Sequence, residues 1–244
     1  MQKIPAKILT ALLLTAVSLA AAPSAAARGF NDKLVNRPYA DNRRWHLGFS
    51  VGLHSQDLAF THNGYISDEG RQWFMSQPTF QPGFNVTGLF ALRLNNYFSL
   101  RFSPGIFFGS RELKMRDALS GDTDKQTLKT AQVVLPVDLK FAAVRWRNAR
   151  PYLIGGVMPA FDVGKKRPDL LKLKTYDTYL SIGFGCDFYL PYFKFIPEVR
   201  FCFGLSDIIN HNRPDLVEEP QKLAFTRALD KAKSRMVVFT FYFE

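Results

Sequence analysis

Two short stretches of this chain carry side chains able to do chemistry, and both lie in its first strand-like segment. Gly48-Phe49-Ser50-Val51-Gly52 matches the G-x-S-x-G pattern, in which a serine nucleophile sits on a sharp strand-to-helix turn. A few residues on, His54, Ser55, Asp57 and His62 offer a base, a nucleophile and an orienting carboxylate, the set used in acyl transfer. The context argues against both. Around Ser50 apolar and polar residues alternate without a break, so the stretch reads as one extended strand and lacks the turn that would present the hydroxyl. His54 and Ser55 are sequence neighbours, and neighbours on a strand point to opposite faces. No catalytic residue is assigned. The chain shows no metal-ligand spacing, no phosphate-binding loop and no dinucleotide fingerprint, so no metal or cofactor is expected.

The elements around these residues are strands. Between Trp45 and Glu244 eight segments alternate apolar with polar positions, joined in turn by long and very short connections. The first carries Leu47, Phe49, Val51 and Leu53 on one face, with His46, Gly48, Ser50, Gly52 and His54 on the other. The same two rows recur from Phe84 to Leu94, Phe98 to Phe108, Val133 to Phe141, Leu180 to Phe188 and Phe195 to Phe203, and the last segment ends on Phe239, Phe241 and Phe243. Only the segment from Pro151 to Phe161 is too evenly apolar for its faces to be assigned. The pattern predicts an all-β fold, an eight-stranded antiparallel transmembrane β-barrel with its oily rows toward lipid. Asn95-Asn96, Arg147 to Arg150 and Pro191-Tyr192 read as tight periplasmic turns, and the stretches near 56–80, 110–130, 162–175 and 205–234 as long outer loops.

Small barrels fill their interior with side chains, which argues against a pore for large solutes. The inward rows hold Arg93, Arg101, Asp138, Lys140, Asp187, Glu198 and Arg200. These are expected to form a salt-bridged plug, because an unpaired charge in such an interior is very costly. Cys186 and Cys202 fall on opposite faces and are expected to stay free.

Composition hides this architecture. The hydrophobic share is 47% and the mean hydropathy −0.10, values a soluble domain also shows, because only alternate side chains meet lipid. Ahead of the strands, Lys3 and Lys7 precede an apolar run from Ile8 to Ala22, followed by Ala25-Ala26-Ala27, the form of a cleaved signal peptide. The expected organisation is a signal peptide over 1–27, a short basic periplasmic tail over 28–44 and the barrel over 45–244, in the outer membrane with both termini periplasmic. The net charge of +11 is not interleaved with exposed aromatics as a nucleic-acid face would be. Lipid and lipopolysaccharide are the expected partners, with Lys165, Lys166, Arg167, Lys172 and Lys174 in a loop over lipopolysaccharide phosphates.

Four stretches, Asp41 to Asp57, Gln81 to Leu113, Val134 to Gly156 and Ile182 to Leu205, resemble the PorT family, outer-membrane barrels of the Bacteroidetes type IX secretion system. The resemblance covers nearly the whole chain after the signal segment. It implies a non-catalytic role in exporting cargo that bears a conserved C-terminal domain, surface proteases among it, alongside other secretion components. It carries over no catalytic residues. A lipid A modifying barrel enzyme and a purely structural barrel are the alternatives.

Overall fold

The computed structural model describes residues 35–62, 73–76, 81–117, 123–164, 173–209 and 229–244. The chain divides into Met1–Val35 and Asn36–Glu244, and every described element belongs to the second unit. The expected signal segment lies outside the described residues.

Eleven strands are found among the described residues: β1 Trp45–His62, β2 Trp73–Ser76, β3 Pro82–Arg93, β4 Phe98–Phe102, β5 Gly105–Asp117, β6 Thr123–Val134, β7 Val137–Ala142, β8 Ala149–Asp162, β9 Tyr176–Tyr189, β10 Lys194–Gly204 and β11 Leu229–Phe243. They make eight wall strands. Two of these are interrupted by proline, which has no N–H to give to a ladder. Ser103 and Pro104 separate β4 from β5, and Leu135 and Pro136 separate β6 from β7. The neighbouring backbone bridges both breaks: Gly88 N–H donates to the Pro104 carbonyl, Ser103 N–H to Pro136 and Leu135 N–H to Pro159, at 2.8, 3.2 and 3.0 Å.

All pairings are antiparallel, and the sheet closes because β1 pairs with both β3 and β11, with Phe49 opposite Gly88 on one side and Phe243 on the other. Closure leaves the wall without a free edge, as lipid demands. β2 runs in the direction of β3 and pairs with the far part of β5 in nearly the same register, Ser76 opposite Lys114 where Phe84 of β3 is opposite Phe108, so it continues that wall strand.

The alternation places the rows as the sequence predicts. Leu47, Phe49, Val51 and Leu53 are 68, 58, 42 and 58% exposed, whereas Ser50 and His54 between them are buried. From Trp45 to Leu53 the oily row spans about 20 Å of height at ~3.4 Å per residue and a tilt near 40°, close to the apolar band of such barrels. Aromatic pairs brace the outside across strands, Phe49 with Phe243, Phe84 with Phe108 and Phe98 with Phe141, at ring separations of 5.3, 5.5 and 5.1 Å.

Two details depart from the sequence reading. In β8, Leu153, Val157 and Phe161 face out, while Tyr152, Ile154, Met158 and Ala160 face in, so an apolar inner row made the segment look uniform. The stretches read as long loops also contain strand: β1 runs to His62 against a β11 that begins at Leu229, and β5 and β6 pair as far as Arg116 opposite Thr123. Beyond the lipid the outward row turns polar, as at Asp57, Lys233 and Arg235, so the oily row that marks the other strands is missing from these extensions.

Candidate functional site

The inward row of β10 reads Lys194, Ile196, Glu198, Arg200 and Cys202, and it sets the layers of the interior. Ile196 joins Leu89, Ala142, Tyr152, Ile154 and Tyr242 in one apolar cluster. Cys202 joins a second with Phe107, Val134, Met158 and Val238. Glu198 and Arg200 lie between the two.

Glu198 is the hub. It accepts from Arg101 at 2.5 Å, from the Tyr152 hydroxyl at 2.6 Å and from Arg200 at 2.9 Å. Arg200 also reaches Asp138 at 3.0 Å, and Ser181 donates to the other Asp138 oxygen at 3.2 Å. Arg101 lies over the Tyr242 ring, its guanidinium carbon 4.7 Å from the centroid. A second pair joins Lys140 to Asp187 at 2.7 Å, with the ammonium 3.9 Å from the centroid of the Tyr152 ring. Three cations (Arg101, Lys140, Arg200) therefore face three carboxylates (Asp138, Asp187, Glu198), and the layer is neutral. Such a set is held by geometry and fills the lumen. Arg93 stands apart from it, because β3 ends there: it donates to Asn96 at 2.5 Å and to the Asn95 and Asp41 carbonyls at the rim.

The mouth at the short-turn end is strapped. Asn36 to Arg44 crosses it, with a single 3-10 turn at Ala40–Asn42. Asp41 accepts from the Tyr189 hydroxyl at 2.5 Å and lies 3.3 Å from Arg150 and 3.7 Å from Arg145. Burial acts to raise its carboxyl, but the Tyr189 hydrogen bond, with Lys194, Arg150 and Arg145, holds it below its ordinary value. Asn36 bonds Asn148 and the Tyr189 carbonyl, and Arg37 bonds the Glu244 carbonyl. The Glu244 side chain is fixed by His46 at 2.6 Å and Lys194 at 2.7 Å. Burial opposes its ionisation, yet these two partners hold it down to about 2. Beneath the strap is a cavity of about 50 Å³ lined by His46, Arg93, Lys140, Arg150, Asp187 and Lys194, room for one or two water molecules and no larger solute.

The residues with chemical promise are kept apart. Ser50 is buried in mid-strand, 2.6 Å from Thr87. His54 points inward and lies 4.9 Å from the Phe107 ring, whereas Asp57 is exposed on the outer face and accepts from the Leu58 N–H. The His62 side chain lies outside the described residues, as do Lys165, Lys166, Arg167 and Lys172. Lys174 is exposed and donates to the Asp207 carbonyl at 2.8 Å. Sequence reading missed Tyr152 and Tyr242, which complete the charged layer, and Asp41 and Tyr189, which fasten the strap. Parity alone could have flagged Tyr242, which shares the inner row of β11 with Thr240 and Val238.

Cys202 is buried in the second apolar cluster and Cys186 is half-buried, and both are free. Glu198 lies opposite Gly185, which puts Cys186 level with Pro197, five residues from Cys202 along β10. At ~3.4 Å per residue that is about 17 Å, far beyond the ~7 Å limit for a disulfide. Two thiols per chain are expected on titration of the unfolded protein without reductant; a value of zero would mean that the β9–β10 register is wrong.

Among solved structures the chain is similar to the N-terminal β-barrel domain of OprF from Pseudomonas aeruginosa, at 11% identity over 79% of this chain and 96% of that one, with a TM-score of 0.34. It is also similar to Ail, the attachment invasion locus protein of Yersinia pestis, solved with the heparin analogue sucrose octasulfate, at 12% identity over 83% of this chain and 100% of that one, with a TM-score of 0.35. No curated protein matches the chain. Residues 31–210, well over half of the sequence, match the model for a closed wall of this kind, and the chain belongs to the outer membrane protein beta-barrel domain family.

Proposed function

We propose that this outer-membrane barrel is a non-catalytic component of a type IX protein secretion system, needed for export of cargo bearing a C-terminal domain. The observation that carries the reading is the filled lumen. A neutral charge layer whose centre, Arg101, Glu198, Arg200 and Asp138, is buried, packed with two apolar clusters under a strapped mouth, leaves no path for a polypeptide. The barrel therefore acts through its outer wall, turns and loops, as an anchor or stabiliser for other secretion components. The resemblance of residues 41–57, 81–113, 134–156 and 182–205 to the PorT family supplies the secretion assignment. In this reading residues 1–27 are a removed signal peptide, both termini are periplasmic, and the loop with Lys165, Lys166, Arg167, Lys172 and Lys174 faces lipopolysaccharide.

Deleting the gene is expected to trap C-terminal-domain proteases in the periplasm and to leave the acylation of lipid A unchanged. His54→Ala with Ser55→Ala should restore secretion almost to the parent level, since these side chains lie on opposite sides of the wall. Normal secretion with an altered acyl count, uncorrected by the double variant, would establish the lipid A enzyme instead.

Orientation has its own test. A thiol reagent unable to cross the outer membrane should modify Lys166→Cys and Gly121→Cys in intact cells, but not Tyr192→Cys, although Tyr192 is 92% exposed in its turn. The opposite labelling pattern overturns the placement of the termini.

A further inference from the structure

The outward row of β11 begins as the other wall strands do, with Phe243, Phe241, Phe239 and Val237, and then turns cationic at Arg235, Lys233 and Lys231, all exposed. The inward row beside them, Met236, Ser234 and Ala232, stays buried, so these three side chains point away from the lumen and cannot belong to its charge layer. The change of character is abrupt, with no neutral polar residue between Val237 and Arg235.

The neighbouring strand gives this ladder its meaning. Arg235 lies opposite Phe203 of β10, and Val237 opposite Phe201. Phe203 and Leu205 are 49 and 55% exposed, so β10 remains oily at the level where β11 has become cationic. Acidic groups compensate only in part. Asp57 of β1 faces Arg235 in register, and Asp230 meets Lys231 at 4.0 Å, a pair so exposed that it contributes little. Two or three cations thus stand at the edge of the apolar band, beside a strip of phenylalanine and leucine.

A free anion has no use for the apolar strip, and a neutral lipid has none for the cations. From this pairing we infer that β10 and β11 form an external binding site for a phosphate-bearing lipid. Arg235 and Lys233 hold its headgroup phosphates, and its acyl chain lies along Phe201, Phe203 and Val237. Alternate side chains on a strand are ~7 Å apart, so the ladder spans more than one phosphate and favours a headgroup carrying two. The guanidinium of Arg235 adds the planar fork that matches phosphate oxygens. The site requires only that the barrel lie in a bilayer, and lipid retention and cargo export are separate measurements.

The full chain is reconstituted in phosphatidylcholine bilayers doped with diphosphorylated lipid A, with phosphatidylglycerol, or with neither, and the lipid retained after gentle detergent extraction is identified by native mass spectrometry. The parent is expected to retain lipid A over phosphatidylcholine, and Arg235→Glu with Lys233→Glu to lower that retention about tenfold at low salt. Arg43→Glu with Arg44→Glu, an equal charge change on exposed residues at the other end of the barrel, should leave it unaltered. Retention of phosphatidylglycerol, lost in the same variant, also supports the site and broadens its ligand. Should the reversed variant fail to fold, the parent alone decides: its retention must weaken as ionic strength rises. Equal retention by a folded ladder variant, no salt dependence, or displacement of the lipid by inorganic phosphate at matched concentration overturns the proposal.

Discussion

Glu198→Ala is expected to lower the stability of the folded barrel by about 3–5 kcal/mol, the usual consequence of removing one partner from a buried ion pair. The size follows from what the carboxylate holds. Arg101 and Arg200 both bond it, each is at most 5% exposed, and neither guanidinium can lose its charge. Without Glu198 only Asp138 remains to balance them, and it is already ion-paired with Arg200 at 3.0 Å. The Tyr152 hydroxyl loses its acceptor in the same step. Urea titration of the refolded barrel, followed by tryptophan fluorescence, measures the loss. Lys174→Ala, on an exposed residue, should shift the same curve by less than about 0.5 kcal/mol. An unchanged midpoint for Glu198→Ala would mean that the lumen is wet and would revive a transport reading.

Gly156→Ala is expected to block assembly, whereas Gly155→Ala should fold. A Cβ on Gly156 would stand 2.1 Å from the Val137 carbonyl oxygen and 2.6 Å from the Asp138 carboxylate. The first is a backbone atom of the neighbouring strand, so relief requires opening the ladder between β7 and β8. Overpacking costs about 1–3 kcal/mol where side chains can shift, and more where they cannot. On Gly155 the nearest atom to a Cβ is 3.6 Å away, an ordinary contact. Compact, heat-modifiable migration on a gel separates folded from unfolded barrels; equal assembly of the two variants would show that the wall has more slack at β8 than these distances allow.

The wall was legible wherever lipid lay on one side and polar groups on the other. Leu47 to Leu53 and Phe98 to Phe108 announce their faces because the two environments differ at every step. β8 did not, since Ile154, Met158 and Ala160 give its inner row the same character as its outer one. The strand from Gln56 to His62 was hidden for the opposite reason, because beyond the membrane its outer face includes Asp57 and Thr61 and alternation fades. In the charged layer, parity identified which residues turn inward, but partners depend on register between strands far apart in sequence. Arg101 and Glu198 are 97 residues apart, and no local pattern links them. The strap was invisible, because Asp41 precedes the first strand and carries no periodicity to read.

The strap also bears on how the barrel is finished. Its contacts come from β3, from the turn and strand around Asn148 and Arg150, from Tyr189 and from Glu244. Arg37 and Glu244 are 207 residues apart, so their bond exists only after β1 and β11 have zipped the cylinder shut. It is thus a checkpoint on closure, satisfied by no partial sheet. A chain caught before the seam forms leaves the Arg43–Arg44 bond in a loose segment open to a trypsin-like protease, whereas the bond after Arg37 precedes Pro38 and resists such an enzyme. In a completed chain Ala40 is buried, Asn36 and Arg37 are tied on one flank, and the Arg44 carbonyl accepts from the Arg93 N–H on the other. Proteolysis at this one short segment would sort unfinished barrels from finished ones without touching the wall.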